Sequence, residues 1–165
     1  MQLSINELCI IISGGTPKTS IPAYWNGNIP WISIKDFANC NRFIISTEKS
    51  ITEEGLTNST TNILKKNDII ISARGTVGNI AIIKFPMAFN QSCYGIRTKN
   101  DTVLSQYFLF YWLKSNIKNI QQGTHGAVFD TIIKNDFSRL LISVPNIKIQ
   151  NHIVNTISFL LLKFL

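Results

Sequence analysis

At 165 residues the chain is long enough for one well-buried core, since a domain near 150 residues hides roughly 70% of the surface that its unfolded form exposes. With 45% hydrophobic and 15% charged residues, its composition excludes a disordered or fibrous protein. Sixteen Lys and Arg against nine Asp and Glu leave a formal charge of +7, which favours an anionic partner, nucleic acid before an acidic membrane surface.

Met1-Gln2-Leu3-Ser4 lacks the basic patch, apolar run and cleavage site of a secretory signal, and no apolar stretch approaches the ~20 residues of a membrane span. The expectation is a cytoplasmic protein with no membrane contact. Ser4-Ile5-Asn6-Glu7 has the form of a capping box, and the apolar Leu8 and Ile10 to Ile12 behind it predict a short helix ending at Gly14-Gly15. Residues 16–28, rich in Pro, Gly, Thr and Ser, predict a long surface loop carrying Lys18, Tyr24 and Trp25. Strands are predicted over residues 31–34, 42–46, 68–73, 79–84 and 93–98, each rich in Ile, Val or aromatics and bounded by Gly, Asn or Pro. Thr52-Glu53-Glu54-Gly55 predicts one acidic-capped helical turn.

From 104 to 120 the apolar period becomes helical. Leu104, Phe108, Tyr111, Trp112, Ser115 and Asn119 recur every three or four residues, as a core-facing stripe requires. Residues 121–130 form a second predicted loop, 132–139 a short helix and 141–144 a last strand ended by Pro145. Beyond it, Ile149, Ile153, Ile157, Leu160 and Phe164 step along one side of a final helix suited to a partner helix. The domain boundaries expected are 1–145 for the globular body and 146–165 for a partner or dimerisation helix that stops early.

No catalytic pattern emerges. His125 lies in a Gly-rich loop and His152 on the final helix, and there is no nucleophile elbow, no D-x-n-E-x-K arrangement and no G-x-G-x-x-G after a strand. Cys9, Cys40 and Cys93 are too widely spaced for a zinc site and read as reduced thiols. Gly75-Thr76-Val77-Gly78 has the G-x-x-G form of a single-strand clamp, but flanking strands favour a tight hairpin. The donors that matter fall at strand ends and in turns: Lys18, Thr19, Ser33, Lys35, Arg74, Thr76, Asn90, Gln91, Ser92, Tyr94, Thr124 and His125. Lys, Arg, Ser and Thr suit phosphates, while Arg, Asn and Gln suit base edges in the major groove. They are the candidate DNA-binding residues.

Six stretches in register resemble a known family. They are Gly14-Gly15-Thr16-Pro17-Lys18-Thr19-Ser20, then Tyr24-Trp25-Asn26-Gly27, Ile29-Pro30-Trp31-Ile32-Ser33-Ile34-Lys35-Asp36, Ser72-Ala73-Arg74-Gly75-Thr76-Val77-Gly78, Asn90-Gln91-Ser92-Cys93 with Gly95, and Val128-Phe129-Asp130-Thr131-Ile132. From about Leu3 to Thr156 the chain resembles the target-recognition domain of type I restriction-modification specificity subunits. The resemblance implies a mixed α/β (α+β) fold with a twisted, largely antiparallel sheet, flanking helices and a C-terminal coiled-coil-type helix. It also implies recognition of half of a split double-stranded DNA site by a non-catalytic chain. Methylation and cleavage, with S-adenosylmethionine, ATP and magnesium, would belong to modification and restriction subunits, and the final helix could pair with a second copy. One such domain is present where the family has two. Base-reading residues are expected partly in the loops at 37–42 and 121–127. Two other readings stand beside this one: a truncated interaction protein that occupies modification subunits without reading DNA, and the recognition domain of a fused restriction-methylation enzyme.

Overall fold

The apolar runs of the chain sort it into three layers. A computed structural model describes residues 2–38, 40, 42–122 and 131–163. In chain order these form β1 (Gln2–Ser4), α1 (Ile5–Leu8), β2 (Cys9–Ser13), β3 (Trp25–Ile32), β4 (Phe43–Ile44), β5 (Lys49–Ile51), α2 (Glu53–Thr57), β6 (Ile63–Leu64), β7 (Ile69–Ser72), β8 (Ile80–Ile83), β9 (Met87–Phe89) and β10 (Cys93–Thr98), followed by α3 (Gln106–Ser115), α4 (Ile117–Gln122), β11 (Leu141–Ser143) and α5 (Ile147–Lys163). Short 3₁₀ turns occupy Pro22–Tyr24, Ile34–Phe37 and Lys134–Ser138.

The central sheet has the order β2-β10-β7-β8-β4, a second sheet the order β5-β3-β9-β6, and β1 pairs with β11. Pairing is antiparallel except for β3 with β9 and β4 with β8. Because side chains alternate along a strand, β7 feeds two cores at once. Ile69 and Ile71 join Phe108, Leu109, Leu113 and Phe137 on the helical side. Ile70 joins Leu64, Met87 and Phe89 between the two sheets. A strand covered on both faces reads as an unbroken apolar run, which is why Ile69-Ile70-Ile71 was legible as a strand. A third cluster, Trp31, Ile51 and Ala88, lies with Trp25 and Leu56 on the outer side of the second sheet.

The mixed α/β expectation agrees with this architecture, while several element boundaries are corrected. The capping box forms, with Ser4 Oγ accepting from Glu7 N, but the helix stops at Leu8. Ile10 to Ile12 then run as β2 against β10, since three consecutive β-branched residues fit a pleated surface better than a helix. The surface loop expected over 16–28 gives way to strand at Trp25. There Trp25 and Ile29 both oppose Ile51, so the residues between them bulge outward, a feature that period-2 counting misses. The strand expected over 31–34 ends at Ile32, and that over 42–46 shrinks to Phe43–Ile44.

The helix expected over 104–120 breaks at Asn116, whose side-chain Nδ2 donates to Trp112 O at 2.9 Å and competes with the helical ladder. The helix expected over 132–139 is a 3₁₀ turn. Strands β1, β5, β6 and β9 are short and were not anticipated. The boundary expected at 145 falls within continuous packing. Gln150 is 0% exposed, accepts from Ser105 N and donates to Val103 O and Pro145 O, each at 2.8 Å. Ile153 and Val154 pack against the core, so the first turns of α5 belong to the body.

Candidate nucleic-acid interface

Strand register decides what the sequence leaves open, namely which loops meet. Tyr94 opposes Ser13, and Cys93 opposes Ser72, so β2 and β7 end where β10 begins. Parallel pairing of Ile32 with Phe89 brings the end of β3 to the same pole, and Asn90 N donates to Ile32 O at 2.9 Å. Residues 13–19, 33–35, 73–79 and 90–92 therefore leave the body together.

Glycine allows the first of these loops to lie flat on its neighbour. A Cβ on Gly14 would fall 2.1 Å from Asn90 O, and one on Gly15 would fall 2.4 Å from Thr60 Oγ1. Two tryptophans of β3 then hold the loop from beneath. Trp31 Nε1 donates to Gly15 O at 3.0 Å and Trp25 Nε1 to Lys18 O at 3.3 Å, with the rings edge to face at 5.2 Å. A buried indole N–H needs an acceptor, and here the acceptors are carbonyls of the candidate loop. Thr16 Oγ1 donates to Gln91 Oε1, Asn62 Nδ2 to Ser13 O at 2.8 Å, and Thr61 Oγ1 to Phe89 O at 2.7 Å. Trp25, Trp31, Thr61 and Asn62 were not picked out as supports of the site. The one signal pointing to them is a Trp pair on a strand that faces a Gly-Gly turn.

Between β7 and β8 the connection is longer than the tight hairpin expected. Ser72 Oγ donates to Thr76 O at 2.5 Å and accepts from Asn79 N at 2.8 Å, while Gly78 N donates to Ser72 O at 2.9 Å. Gly75 and Gly78 take φ of 75° and 93°, a region cheap only for glycine. From α4, Gln121 Nε2 donates to Val77 O at 2.8 Å. With its backbone thus fixed, the turn exposes Arg74 and Thr76.

The candidate residues divide by what their side chains already do. Lys18, Thr19, Arg74 and Thr76 are exposed and, among the described residues, have no side-chain hydrogen bond or ion pair. Asn90 Oδ1 accepts from Ser92 N at 3.1 Å, and Gln91 is exposed beside Thr16. Ser33 instead caps a 3₁₀ turn, its Oγ donating to Asp36 Oδ2 at 2.9 Å. Lys35 faces Glu48 at 3.8 Å, and the Tyr94 ring packs edge-on against Phe137 at 5.7 Å.

Thr124, His125 and most of the loop at 121–127 lie outside the described residues, as do Asn39 and Asn41 of the loop at 37–42. In that second loop Phe37 is buried. The Arg42 guanidinium lies 4.9, 5.3 and 5.2 Å from the rings of Phe43, Tyr107 and Tyr111, so it is engaged with the body. On α5, Ile153 and Ile157 are half-buried, whereas Ile149 and Leu160 are 52% and 49% exposed; Phe164 lies outside the described residues.

Burial governs the thiols. Loss of solvation pushes Cys9 and Cys93 up to about 12, against a small opposing pull of Lys99 on Cys9. Both are therefore protonated and unreactive near neutrality. Among the described residues no group of three His, Cys, Asp or Glu could hold a metal ion, and no helix is long and apolar enough to cross a membrane.

Comparison with known proteins places this geometry. The family model described as the type I restriction modification DNA specificity domain matches residues 1–163. The chain is 32% identical over 158 residues to the type I restriction enzyme MjaIX specificity subunit of Methanocaldococcus jannaschii, covering 94% of this chain and 36% of that protein. It is 35% identical over 157 residues to the EcoR124I/EcoR124II specificity subunit of Escherichia coli, covering 92% and 38%. The chain thus spans little more than a third of the length of these curated relatives. Among solved structures, a chain from a study of assembly and conformational transition of the type I R-M system superposes with a TM-score of 0.78 at 20% identity, covering 99% of this chain and 38% of that one. The HsdS subunit from Thermoanaerobacter tengcongensis gives 0.72 at 18%, covering 99% and 37%. The shared fold, the relatives above 30% identity and the near-complete family match establish that this chain belongs to the type I restriction modification DNA specificity domain family.

Proposed function

We propose that the chain reads one half of a split double-stranded DNA sequence and directs separate methyltransferase and restriction subunits to it, without catalysing either reaction. The observation that carries this reading is the convergence of four loops at one pole, with fixed backbones and with Lys18, Thr19, Arg74 and Thr76 exposed on them. Cations and hydroxyls there supply phosphate contacts, and the Arg74 fork matches the acceptor pair of guanine. The family relationship supports the same reading. S-adenosylmethionine, ATP and magnesium would be held by the partner subunits.

The far end of α5, where Leu160 and Leu161 are exposed, is the proposed contact with a partner helix, from a second recognition domain or a second copy. A filter-binding titration tests the DNA reading. Binding to duplex should weaken steeply with salt, by about 0.9 in log–log slope for each phosphate neutralised. No affinity for duplex at low salt would refute it for this chain.

A further inference from the structure

Beside the loop pole lies a cleft of about 260 Å³ lined by Thr19, Trp25, Asn26 and Lys49. We propose that this cleft holds a single unstacked nucleotide, its base against the Trp25 indole and its phosphate on Lys49. The proposal rests on the reading of the chain as a DNA-binding protein, and adds a site for a nucleotide outside the helical stack.

The chemistry of the four walls carries it. Trp25 is half-buried, its ring near-perpendicular to that of Trp31 at 5.2 Å between centroids and its N–H committed to Lys18 O at 3.3 Å. The Lys49 ammonium lies 5.7 Å from the Trp25 ring centroid, and among the described residues it has no carboxylate partner. In the free chain the ammonium sits over the indole; turned onto an anion it would leave the ring to a flat π-system, and a nucleotide offers both groups. Thr19 and Asn26 are exposed at the rim. Asn26, with φ of 62° at the bulge of β3, lines the same cleft, and its amide carries both a donor and an acceptor for a base edge. The volume is smaller than the roughly 300 to 1,000 Å³ of drug-sized pockets, which suits one base. In an intact duplex both faces of a base are covered by its neighbours, so the indole can engage only a base that has left the stack.

Tryptophan emission of the full chain, titrated with a thymidylate 12-mer and separately with an intact duplex, tests this. The 12-mer should quench emission, and Trp112→Phe should keep the quench. Lys49→Gln, at an exposed position, should lower the salt slope for the 12-mer by about 0.7. Trp25→Leu should weaken 12-mer binding about 5- to 150-fold. Should Trp25→Leu fail to fold, Lys49→Gln decides alone. Duplex binding without quenching by the 12-mer, or quenching and a salt slope that Lys49→Gln leaves unchanged, would overturn the cleft and leave the recognition reading standing. Quenching that responds to Lys49→Gln, in a chain with no affinity for duplex, would retain the cleft and overturn the recognition reading.

Discussion

The two ends of the central sheet use polar side chains in opposite ways. At the end where β7 starts and β10 finishes, the side chains are bound to one another and to the backbone. Arg97 grips Asp68 with two bonds of 2.7 and 2.5 Å, and Asp68 also accepts from Lys65 N at 2.7 Å. Gln106 bridges Thr98 N and Ile96 O, Gln150 ties α5 to Val103, and Tyr107 donates to Asn67 Oδ1 at 3.0 Å. At the other end the bonds fix backbone, while Lys18, Thr19, Arg74 and Thr76 keep their donors for solvent or a ligand. The contrast separates scaffold from proposed reader. Groups already satisfied contribute to stability, and groups left open on a rigid frame can bind without a large ordering cost.

The strongest way to break the scaffold end is Asp68→Ala. Asp68 is 4% exposed and its Arg97 partner 27%, and removal of one member of a largely buried pair costs about 3 to 5 kcal/mol because the other charge loses its partner. Urea denaturation should show a loss of this size. Duplex binding by the molecules that remain folded should be unchanged. Stability equal to that of the parent would demote the pair to a surface contact.

At the reader end, Gly14→Ala should cost about 1 to 3 kcal/mol, the usual penalty for a forced overlap in a packed region, because its methyl group would collide with Asn90 O. The strain falls on the very loop that carries Thr16 and Lys18, so DNA affinity should drop further than stability alone accounts for. Thermal melts and binding at one temperature give both numbers, and a parallel loss in each would dissolve the distinction between the two ends. Arg74→Ala sharpens it from the other side. The melting temperature should not move, while binding either weakens for every sequence, as for a phosphate contact, or loses about 1 to 3 kcal/mol of discrimination at one base pair. Unaltered binding would make Arg74 an ordinary surface residue.

The scaffold was the more legible half. Ile69-Ile70-Ile71 reports burial directly, because burial is what sets the pattern. The stripe expected from Leu104 to Asn119 is right only at its start: Leu104 and Phe108 are buried, Tyr111 and Trp112 half-buried, and Ser115 and Asn119 exposed, while Leu109, Phe110 and Leu113 fill the core in their place. The candidate reader could be picked out as a set of residue types and only partly as a place. Lys18, Arg74 and Gln91 meet through the register of β2, β7 and β10 and the parallel pairing of β3 with β9, and no local pattern encodes pairing between distant strands. Nor does residue type reveal prior commitment. Ser33 and Arg74 looked equivalent as donors, yet Ser33 is tied to Asp36 and Arg74 is exposed. Sequence pattern places Trp25 on a surface loop and Trp31 at the start of a strand, and both hold the candidate loop.

The smallest effect belongs to the scaffold's N-terminal edge and depends on pH. Ser4 N and Ser4 Oγ both donate to Glu7 Oε2 at 2.7 Å, and this cap sets the four-residue helix that carries the buried Ile5. Those bonds, the backbone one first and the hydroxyl second, hold the Glu7 carboxyl below its ordinary value of 4.5, with a further small pull from Lys99. A carboxylate whose folded value is depressed adds stability that is fully present above the unfolded value and is lost as pH falls through the folded one. Glu7→Ala should therefore lie below the parent in melting temperature at pH 7, and the gap should narrow as pH falls below 4.5. Because Glu7 is exposed, the gap at neutral pH should be small, and smaller again in high salt. Hydrogen exchange at Ile5, whose N–H is bonded to Leu140 O at 3.0 Å, should report the same change locally, with protection falling in the variant at neutral pH and in the parent only in acid. A gap that is constant across this pH range would mean that the cap acts through helix propensity alone, and that the carboxylate charge contributes nothing to this edge of the scaffold.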